Sequence, residues 1–191
     1  RLNALNLQLA QDLNQAVSDI EADEEIRVVI LHGAGRAFCA GADIKAMGEG
    51  ESSTALGRAI SAFHTRLEGL SMVTIAAVHG YATGGGCELA LACDLRLAAS
   101  SARFGLPEVK LGLLPGAGGT QRLTRIVGVG RAKMAMYTGD PVDAETALQW
   151  GLVNQVAPDD ELLEQAGALA QTLLERPPLA VRLIKSCIDV G

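Results

Sequence analysis

His79 to Asp94 reads HGYATGGGCELALACD, and the rest of the chain is organised around this stretch. Its three consecutive glycines, Gly84–Gly86, follow the apolar run Met72–Val78, which is typical of a buried strand. The apolar residues Leu89–Ala92 then predict a buried helix, with Glu88 near its start. Glycines expose their backbone N–H groups to a ligand, and the start of a helix adds the positive end of its dipole. The stretch therefore predicts a place where a developing negative charge is held beside a carboxylate.

A second carboxylate, Glu108, follows twenty residues later in the segment GLPEVKLG. Taken alone, Glu88 could be a solvated carboxylate that the helix dipole favours, and Glu108 could be an exposed glutamate that faces Lys110. The apolar neighbours of both residues argue for burial, and a buried carboxylate needs a partner or a function. Two carboxylates that flank one water suit its addition to an activated double bond, because one can accept a proton while the other delivers one.

The composition is that of a globular protein with a substantial core. Apolar residues make up 49% of the 191 residues, which argues against disorder and predicts one domain. The net charge of −6 and the aromatic content of 3% disfavour nucleic acid as the main ligand. The longest apolar run, Met72–Val78, is too short to cross a bilayer, so no membrane association is expected.

Other common catalytic and metal-binding patterns are missing from the sequence. No GxSxG elbow and no GK[ST] occur, which disfavours a serine hydrolase and excludes a P-loop. The cysteine spacings fit neither a disulfide framework nor a zinc site, so we expect no metal and reduced thiols in a reducing compartment. Cys39 and Cys87 could act as nucleophiles, but burial is favoured for both. The same holds for the histidines, which we expect to be packed or partly exposed: His32, His64 and His79.

Hydrophobic periodicity predicts alternating strands and helices in the first half and mainly helices in the second. Strands are predicted at Arg27–Leu31, Met72–Val78 and Leu95–Ala99. Helices are predicted at Asn6–Asp23, Thr54–Leu70, Thr120–Ile126, Arg131–Tyr137, Ala144–Trp150, Asp160–Glu175 and Leu179–Val190. The segment Arg103–Leu114 is predicted to be extended, and Met47–Ser53 to be a loop that lines the ligand pocket. We expect an α/β core over residues 1–140 and a helical region over residues 141–191.

Three segments, in this order, resemble the crotonase, or enoyl-CoA hydratase/isomerase, superfamily. They are AFCAGADIKAM (37–47), HGYATGGGCELALACD (79–94) and LPEVKLGLLPGAGGTQRL (106–123). The start, RLNALN, and the segment GLVNQV (151–156) also resemble the family, so the similarity runs over essentially the whole chain. It implies an α/β fold, namely a crotonase-like spiral of ββα units with a helical C-terminal region. It also implies homotrimers or dimers of trimers. The family has a further N-terminal strand and further C-terminal helices, so we expect this chain to be trimmed at both ends.

The resemblance implies an acyl-CoA thioester as substrate, with coenzyme A as part of the substrate and no separate cofactor. By position, the family's two oxyanion-hole N–H groups fall on Ala42 and Gly85, where they would hold the thioester enolate oxygen. The family's hydratase carboxylates fall on Glu88 and Glu108, and both are expected to hold the water, with Glu108 favoured as proton donor to the α-carbon. The segments that line the family's CoA and thioester channel match Ala4, Ala40, Asp43, Ile44, Lys45 and Gly116. Lys45 could meet a CoA phosphate or be a solvated helix lysine.

Having both carboxylates favours an enoyl-CoA hydratase that converts a 2-enoyl-CoA to a 3-hydroxyacyl-CoA in fatty acid metabolism. Two alternatives stay open. The first is an enoyl-CoA delta isomerase, in which one carboxylate shuttles a proton along the acyl chain. The second is a non-catalytic member that binds RNA or another partner, for which the possible cluster of Arg122, Arg125 and Arg131 leaves room. The expected location is the cytoplasm, or the mitochondrial matrix in a eukaryote.

Overall fold

The computed structural model describes residues 2–43 and 51–190, with the side chains of 51–53 left out. Ile44, Lys45 and most of the predicted loop at Met47–Ser53 lie outside these residues. The described strands are β1 (Val28–His32), β2 (Val73–Val78), β3 (Tyr81–Thr83), β4 (Leu95–Ala99), β5 (Arg103–Gly105), β6 (Val142–Asp143) and β7 (Gln155–Ala157). The described helices are α1 (Leu7–Ala22), α2 (Glu51–Glu68), α3 (Gly85–Leu91), α4 (Gly119–Val127), α5 (Val129–Thr138), α6 (Ala144–Trp150), α7 (Leu162–Leu174) and α8 (Pro178–Val190).

Strand β2 is central to the main sheet, whose four parallel strands run in the order β1-β2-β4-β7. All six residues of β2 are buried, because both faces of the sheet are covered. Its alternate residues Val73, Ile75 and Ala77 pack towards α7, while Ala76 and Val78 join the larger core on the other face. This larger core also takes in buried residues of α2 and α3. The predicted strands at Met72–Val78 and Leu95–Ala99 are confirmed; Arg27–Leu31 is a strand too, but it is a half-buried edge.

A second, smaller sheet positions the central glycines. Strand β3 pairs in parallel with β5, and β5 pairs antiparallel with β6. Immediately after β3, the N–H of Gly84 donates to the carbonyl of Gly105 at the end of β5, with an N···O distance of 2.8 Å. The two strands therefore end side by side, and the residues that follow them, including Gly85 and Glu108, start from neighbouring points.

Three local predictions were wrong. The segment Arg103–Leu114 is not extended throughout: after β5 the chain forms a 3₁₀ helix at Pro107–Leu111, because Pro107 presets φ and needs no acceptor for an N–H at the first helical position. Residues 51–53 belong to α2 rather than to a loop. Strands β6 and β7 lie in the region predicted to be helical, and they are only two and three residues long, too short for a hydrophobic period to show.

The C-terminal region takes part in both sheets. The predicted boundary at residue 140 falls between α5 and β6, and the residues after it supply β6 to the small sheet and β7 to the large one. Within residues 2–43 and 51–190, every helix is too short or too polar to span a membrane.

Candidate active site

Each of the three central glycines meets a different structural demand. Gly84 precedes α3 with φ of 54° and ψ of −128°, a conformation that residues with a Cβ rarely adopt. A Cβ on Gly86 would lie 2.1 Å from the carbonyl oxygen of Cys39, so the loop after Phe38 packs directly on the first turn of α3. A Cβ on Gly85 would lie 3.7 Å from the amide nitrogen of Ala42. The glycine stretch therefore brings the two predicted oxyanion-hole residues together.

The backbone hydrogen bonds around Ala42 and Gly85 decide whether their N–H groups can bind a ligand. Leu5 bridges the strand-like segment around Ala42: its N–H donates to Gly41, and its carbonyl accepts the N–H of Asp43. These two bonds do not involve the Ala42 N–H, and Gly85, as the first residue of α3, has no acceptor for its N–H within its helix. Within the described part of the chain, neither N–H has a backbone acceptor. A Cβ on Gly41 would lie 3.3 Å from the Gly85 nitrogen, which confirms that these segments are adjacent.

Asn3 holds the N-terminal segment against this site, although it is not among the residues predicted from the sequence. Leu2 and Asn3 both have positive φ, of 58° and 53°. The side-chain amide of Asn3 donates to three carbonyls, those of Ala34, Ala37 and Phe38, at 2.8–3.1 Å. Asparagine tolerates the left-handed conformation, which is the sequence signal that could have indicated its role. The predicted channel residues Ala4 and Ala40 lie half-buried in the two segments that Asn3 joins.

Glu88 is buried in the first turn of α3, with 3% of its surface exposed. Its Oε1 accepts two backbone hydrogen bonds, from the N–H of Ala117 at 2.7 Å and from that of Gly119 at 2.9 Å. Burial raises the pKa of Glu88 above its ordinary value, while these two bonds and the charge of Arg122 act in the opposite direction. The carboxylate is therefore desolvated but firmly oriented.

Glu108 lies in the first turn of the 3₁₀ helix, and its surroundings differ from those of Glu88. Its Oε2 is buried and has no hydrogen-bond partner among the described residues. Burial, helped by the nearby charge of Glu88, raises the pKa of Glu108 to about 7. Its Oε1 lies 3.3 Å from the position that a Cβ of Gly84 would take, so the carboxyl group faces the start of α3. Lys110, the alternative partner of Glu108, instead pairs with Asp140 at 2.8 Å.

Of the remaining predicted channel residues, Asp43 and Gly116 are described, and each directly adjoins a residue of the site. Asp43 is half-buried and directly follows Ala42. Gly116 is exposed in the loop between the 3₁₀ helix and α4, next to the Ala117 amide that binds Glu88, and a Cβ there would meet no atom within 4 Å. Ile44 and Lys45 lie outside the described residues.

The cysteines and histidines show none of the environments that activate a nucleophile or a base. Cys39 and Cys87 are buried, and desolvation raises their thiol pKa values to about 11 and about 12. His64 is fully buried, and burial lowers its pKa to about 4, so its ring is neutral. His79 contacts the carbonyl of Gly35 at 3.0 Å, and His32 is exposed. The expectation that these residues are packed or partly exposed is confirmed.

The three arginines of the possible cluster lie in different surroundings. Arg122 is buried and makes a bidentate ion pair with Glu68, with distances of 3.0 Å and 2.7 Å. Arg131 instead lies over the ring of Trp150, 5.9 Å from its centroid, and Arg125 is exposed. Glu68 lies within the electrostatic range of both Arg122 and Arg125, and Arg122 is buried, so these residues do not present three exposed positive charges to RNA.

Within the described residues, the site combines two adjacent N–H groups that have no backbone acceptor, a carboxyl group with a raised pKa and an oriented carboxylate. The amides suit an oxygen atom that becomes negative, because backbone donors fixed in place need no reorganisation as charge develops. Two carboxyl groups whose surroundings differ suit opposite proton-transfer roles.

Comparisons with known proteins point to one family. The family model described as enoyl-CoA hydratase/isomerase matches residues 1–190. A short-chain-enoyl-CoA hydratase of Clostridium acetobutylicum is 46% identical, with all of this chain and 74% of that protein covered. A crotonyl-CoA hydratase of Syntrophomonas wolfei is 43% identical, with the same coverage of 100% and 74%. The crystal structure of an enoyl-CoA hydratase from Bacillus anthracis superposes with a TM-score of 0.96 at 45% identity, covering 98% of this chain and 74% of that one.

Proposed function

This chain belongs to the enoyl-CoA hydratase/isomerase family and is an enzyme that hydrates an enoyl-CoA, and we propose that Glu88 and Glu108 carry its acid–base chemistry. The resemblance found in the sequence and the crotonase fold that it implied are both confirmed. The reaction is the addition of water to a 2-enoyl-CoA to give a 3-hydroxyacyl-CoA.

The substrate thioester oxygen is held by the N–H groups of Ala42 and Gly85. When water adds to the β-carbon, negative charge develops on this oxygen as an enolate. Each fixed donor of this kind contributes about 3 kcal/mol to transition-state stabilisation. Because backbone groups supply both donors, the side chain at position 42 needs only to be small.

The two carboxyl groups divide the proton transfers. Glu88 enters as the carboxylate and takes a proton from water, whose hydroxyl group bonds to the β-carbon. Glu108 enters protonated and gives its proton to the α-carbon, which collapses the enolate to the thioester. The products are the 3-hydroxyacyl-CoA, a protonated Glu88 and an ionised Glu108, and solvent exchange restores the starting protonation states.

One observation carries this assignment: the two carboxyl groups differ in their hydrogen-bond partners. Glu88 has two N–H donors on one oxygen, and donors favour the ionised form. Glu108 has a buried oxygen without a described partner and a pKa of about 7, so a substantial fraction of it is protonated near neutral pH. If either carboxyl group were missing, one residue would have to take the proton from water and also protonate the α-carbon.

The test is the loss of crotonyl-CoA absorbance with wild type, Glu88→Gln and Glu108→Gln. Each substitution should lower kcat by about 100-fold or more, the usual contribution of a general acid or base. Glu145→Gln is the matched control, since Glu145 is also a first-turn helix glutamate but is exposed. Full activity in either active-site variant would contradict the two-carboxylate mechanism.

Substrate preference and isomerase activity are tested with the same enzyme. We propose a short-chain 2-enoyl-CoA, supported by the names of the clostridial and Syntrophomonas relatives. A kcat/KM panel over short, long and branched thioesters should show its highest value at short chain length. With a 3-enoyl-CoA, a shifted double bond without added water would instead support the isomerase alternative.

The family resemblance also supports an assembly and a setting for the reaction. We propose a homotrimer or a dimer of trimers, which fits the apolar side chains exposed on α5 and α8. The reaction is proposed to need no cofactor beyond the coenzyme A of the substrate, so prolonged dialysis against EDTA should leave kcat unchanged. The four free thiols support a reducing compartment, namely the cytoplasm or, in a eukaryote, the mitochondrial matrix.

A further inference from the structure

We propose that Arg122, locked in place by Glu68, is a positioning residue that fixes the Ala117–Gly119 turn on Glu88 and so sets the proton affinity of this carboxylate. The inference rests on the proposed function, in which Glu88 takes a proton from water. Arg122 makes no hydrogen bond to Glu88 and contacts no reacting atom; it acts through the backbone of Ala117 and through its charge.

The peptide groups of Ala117 connect the two side chains. The Ala117 N–H donates to Oε1 of Glu88 at 2.7 Å. The Ala117 carbonyl accepts a hydrogen bond from Nη1 of Arg122 at 2.6 Å. A single residue is therefore held from both sides, and a displaced guanidinium would release the turn whose N–H groups orient the carboxylate.

Gly118 shows that the turn and the guanidinium are built to fit each other. Its φ is 101°, a left-handed conformation that favours glycine. A Cβ at this position would lie 2.1 Å from Nη1 and 2.9 Å from the central guanidinium carbon of Arg122. The arginine thus occupies the space that any other residue at 118 would need.

Glu68 of α2 fixes the orientation of the guanidinium. Its two oxygens accept from Nε and Nη2 at 3.0 Å and 2.7 Å, which leaves Nη1 directed at Ala117. The arginine side chain is 9% exposed, so this pair is shielded from water and salt on one side. The planar fork supplies three fixed donors, and a lysine ammonium cannot reproduce this geometry.

The positive charge of Arg122 lowers the pKa of Glu88, as do the hydrogen bonds from the Ala117–Gly119 turn. Among the described residues, the titratable groups around Glu88 are Glu108 of the 3₁₀ helix, Cys87 of α3 and Arg122 of α4, while His64 of α2 lies near Arg122 and is neutral. Of these, Arg122 is the one that lowers the pKa of Glu88. Without it, burial would act with less opposition, and Glu88 would stay ionised only at higher pH.

The experiment compares Arg122→Met, Arg122→Lys and Glu68→Gln with wild type by the pH dependence of crotonyl-CoA hydration. Arg122→Met should lower kcat about tenfold with little change in KM, since the base is misplaced while the thioester contacts remain. The acid limb of its pH profile should move to higher pH by about one unit, because the positive charge that favours the ionised form of Glu88 is lost. Arg122→Lys keeps the positive charge but not the planar fork, so its acid limb should stay close to that of wild type while its kcat is lower. Glu68→Gln should change kcat and the acid limb in the same direction as Arg122→Met, but by a smaller amount.

The matched control is Arg66→Met. Arg66 also bonds one glutamate, Glu21, and one backbone carbonyl, that of Asn14, but it joins α2 to α1 away from the site. The Arg66→Met enzyme should be less stable than wild type, but the acid limb of its pH profile should not change. An Arg122→Met enzyme that folds and keeps the wild-type kcat and acid limb would overturn the proposal.

A second measurement separates this proposal from the proposed function. In the free enzyme, the carboxyl carbon of Glu88 can be titrated by NMR with ¹³C-labelled glutamate, and Glu88→Gln identifies its resonance. A higher pKa of Glu88 in Arg122→Met supports the positioning role even if wild type fails to hydrate crotonyl-CoA. An unchanged titration in Arg122→Met overturns it even if wild type is fully active.

Discussion

Glu88 and Glu108 are the same residue type, and their surroundings give them opposite properties. Two N–H donors hold one oxygen of Glu88, whereas an oxygen of Glu108 is buried without a described partner. The sequence predicted both residues because apolar neighbours surround each of them. It could not divide their roles, since the donors to Glu88 come from residues 29 and 31 positions away, and no local pattern indicates that turn.

The raised pKa of Glu108 predicts that this residue costs stability at alkaline pH. Its pKa is about 7 in the folded protein, against 4.5 ordinarily. Below pH 4.5 the group is protonated in both states, and as pH rises to about 7 the unfolded state alone loses its proton, so stability falls. Glu108→Gln should therefore match wild type near pH 4 and be more stable by about 1–2 kcal/mol at pH 8, allowing for partial solvent screening.

Urea unfolding at several pH values measures this difference. The Glu145→Gln control, at an exposed glutamate, should show no pH-dependent gain. A Glu108→Gln protein that is less stable than wild type at pH 8 would show that the ionised carboxylate has a partner in the folded state.

At the scale of elements, the turn from β3 into α3 does most to build the site. It places Gly85 beside Ala42, Glu88 in the first turn of the helix and Gly84 against the carboxyl group of Glu108. The sequence predicted this turn because three adjacent glycines before an apolar helix indicate close backbone approach. It misread Arg103–Leu114, since the proline that begins the 3₁₀ helix is equally typical of an extended segment.

Adjacent glycines in this turn should respond very differently to alanine. A Cβ at position 86 would lie 2.1 Å from the backbone oxygen of Cys39, which cannot move without shifting the loop. Gly86→Ala should therefore destabilise the protein by about 2–4 kcal/mol. A Cβ at position 85 would lie 3.2 Å from Cδ1 of Leu5, a flexible side-chain end, and Gly85→Ala should cost less than about 1 kcal/mol.

Thermal unfolding of the two variants in parallel provides the measurement. Each serves as the other's control, because both add one methyl group to the first turn of α3. Equal loss of stability in the two variants would mean that the loop at Cys39 does not pack on the helix as described.

At the scale of the whole molecule, exposed apolar side chains occur on both α5 and the 3₁₀ helix that packs beside it. This surface, here called the α5 patch, consists of Val109, Leu111, Met134 and Tyr137, each between 44% and 70% exposed. Such a group is unusual on a monomer and typical of an interaction surface. The sequence implied an assembly only through the family resemblance, because exposure depends on which helix face the fold leaves uncovered.

The proposed trimer predicts how the α5 patch behaves in solution. Sedimentation velocity of wild type should give a species of at least three chains. Met134→Lys combined with Tyr137→Lys should shift it towards monomer, because buried charges oppose association. Gln15→Lys, on the exposed face of α1, should leave the distribution unchanged. A monomeric wild type would contradict the assembly.

The order in which the chain is synthesised determines when the Ala117–Gly119 turn can bind Glu88. A nascent chain that has emerged as far as Gly85 already contains both amide donors of the oxyanion site. It has no donors for Glu88 until residues 117 and 119 have emerged, and nothing pairs with Glu68 until Arg122 does. The donors that orient Glu88 and the arginine that pairs with Glu68 are therefore synthesised after both amide donors, so the proton-transfer half of the site is the last to receive its residues.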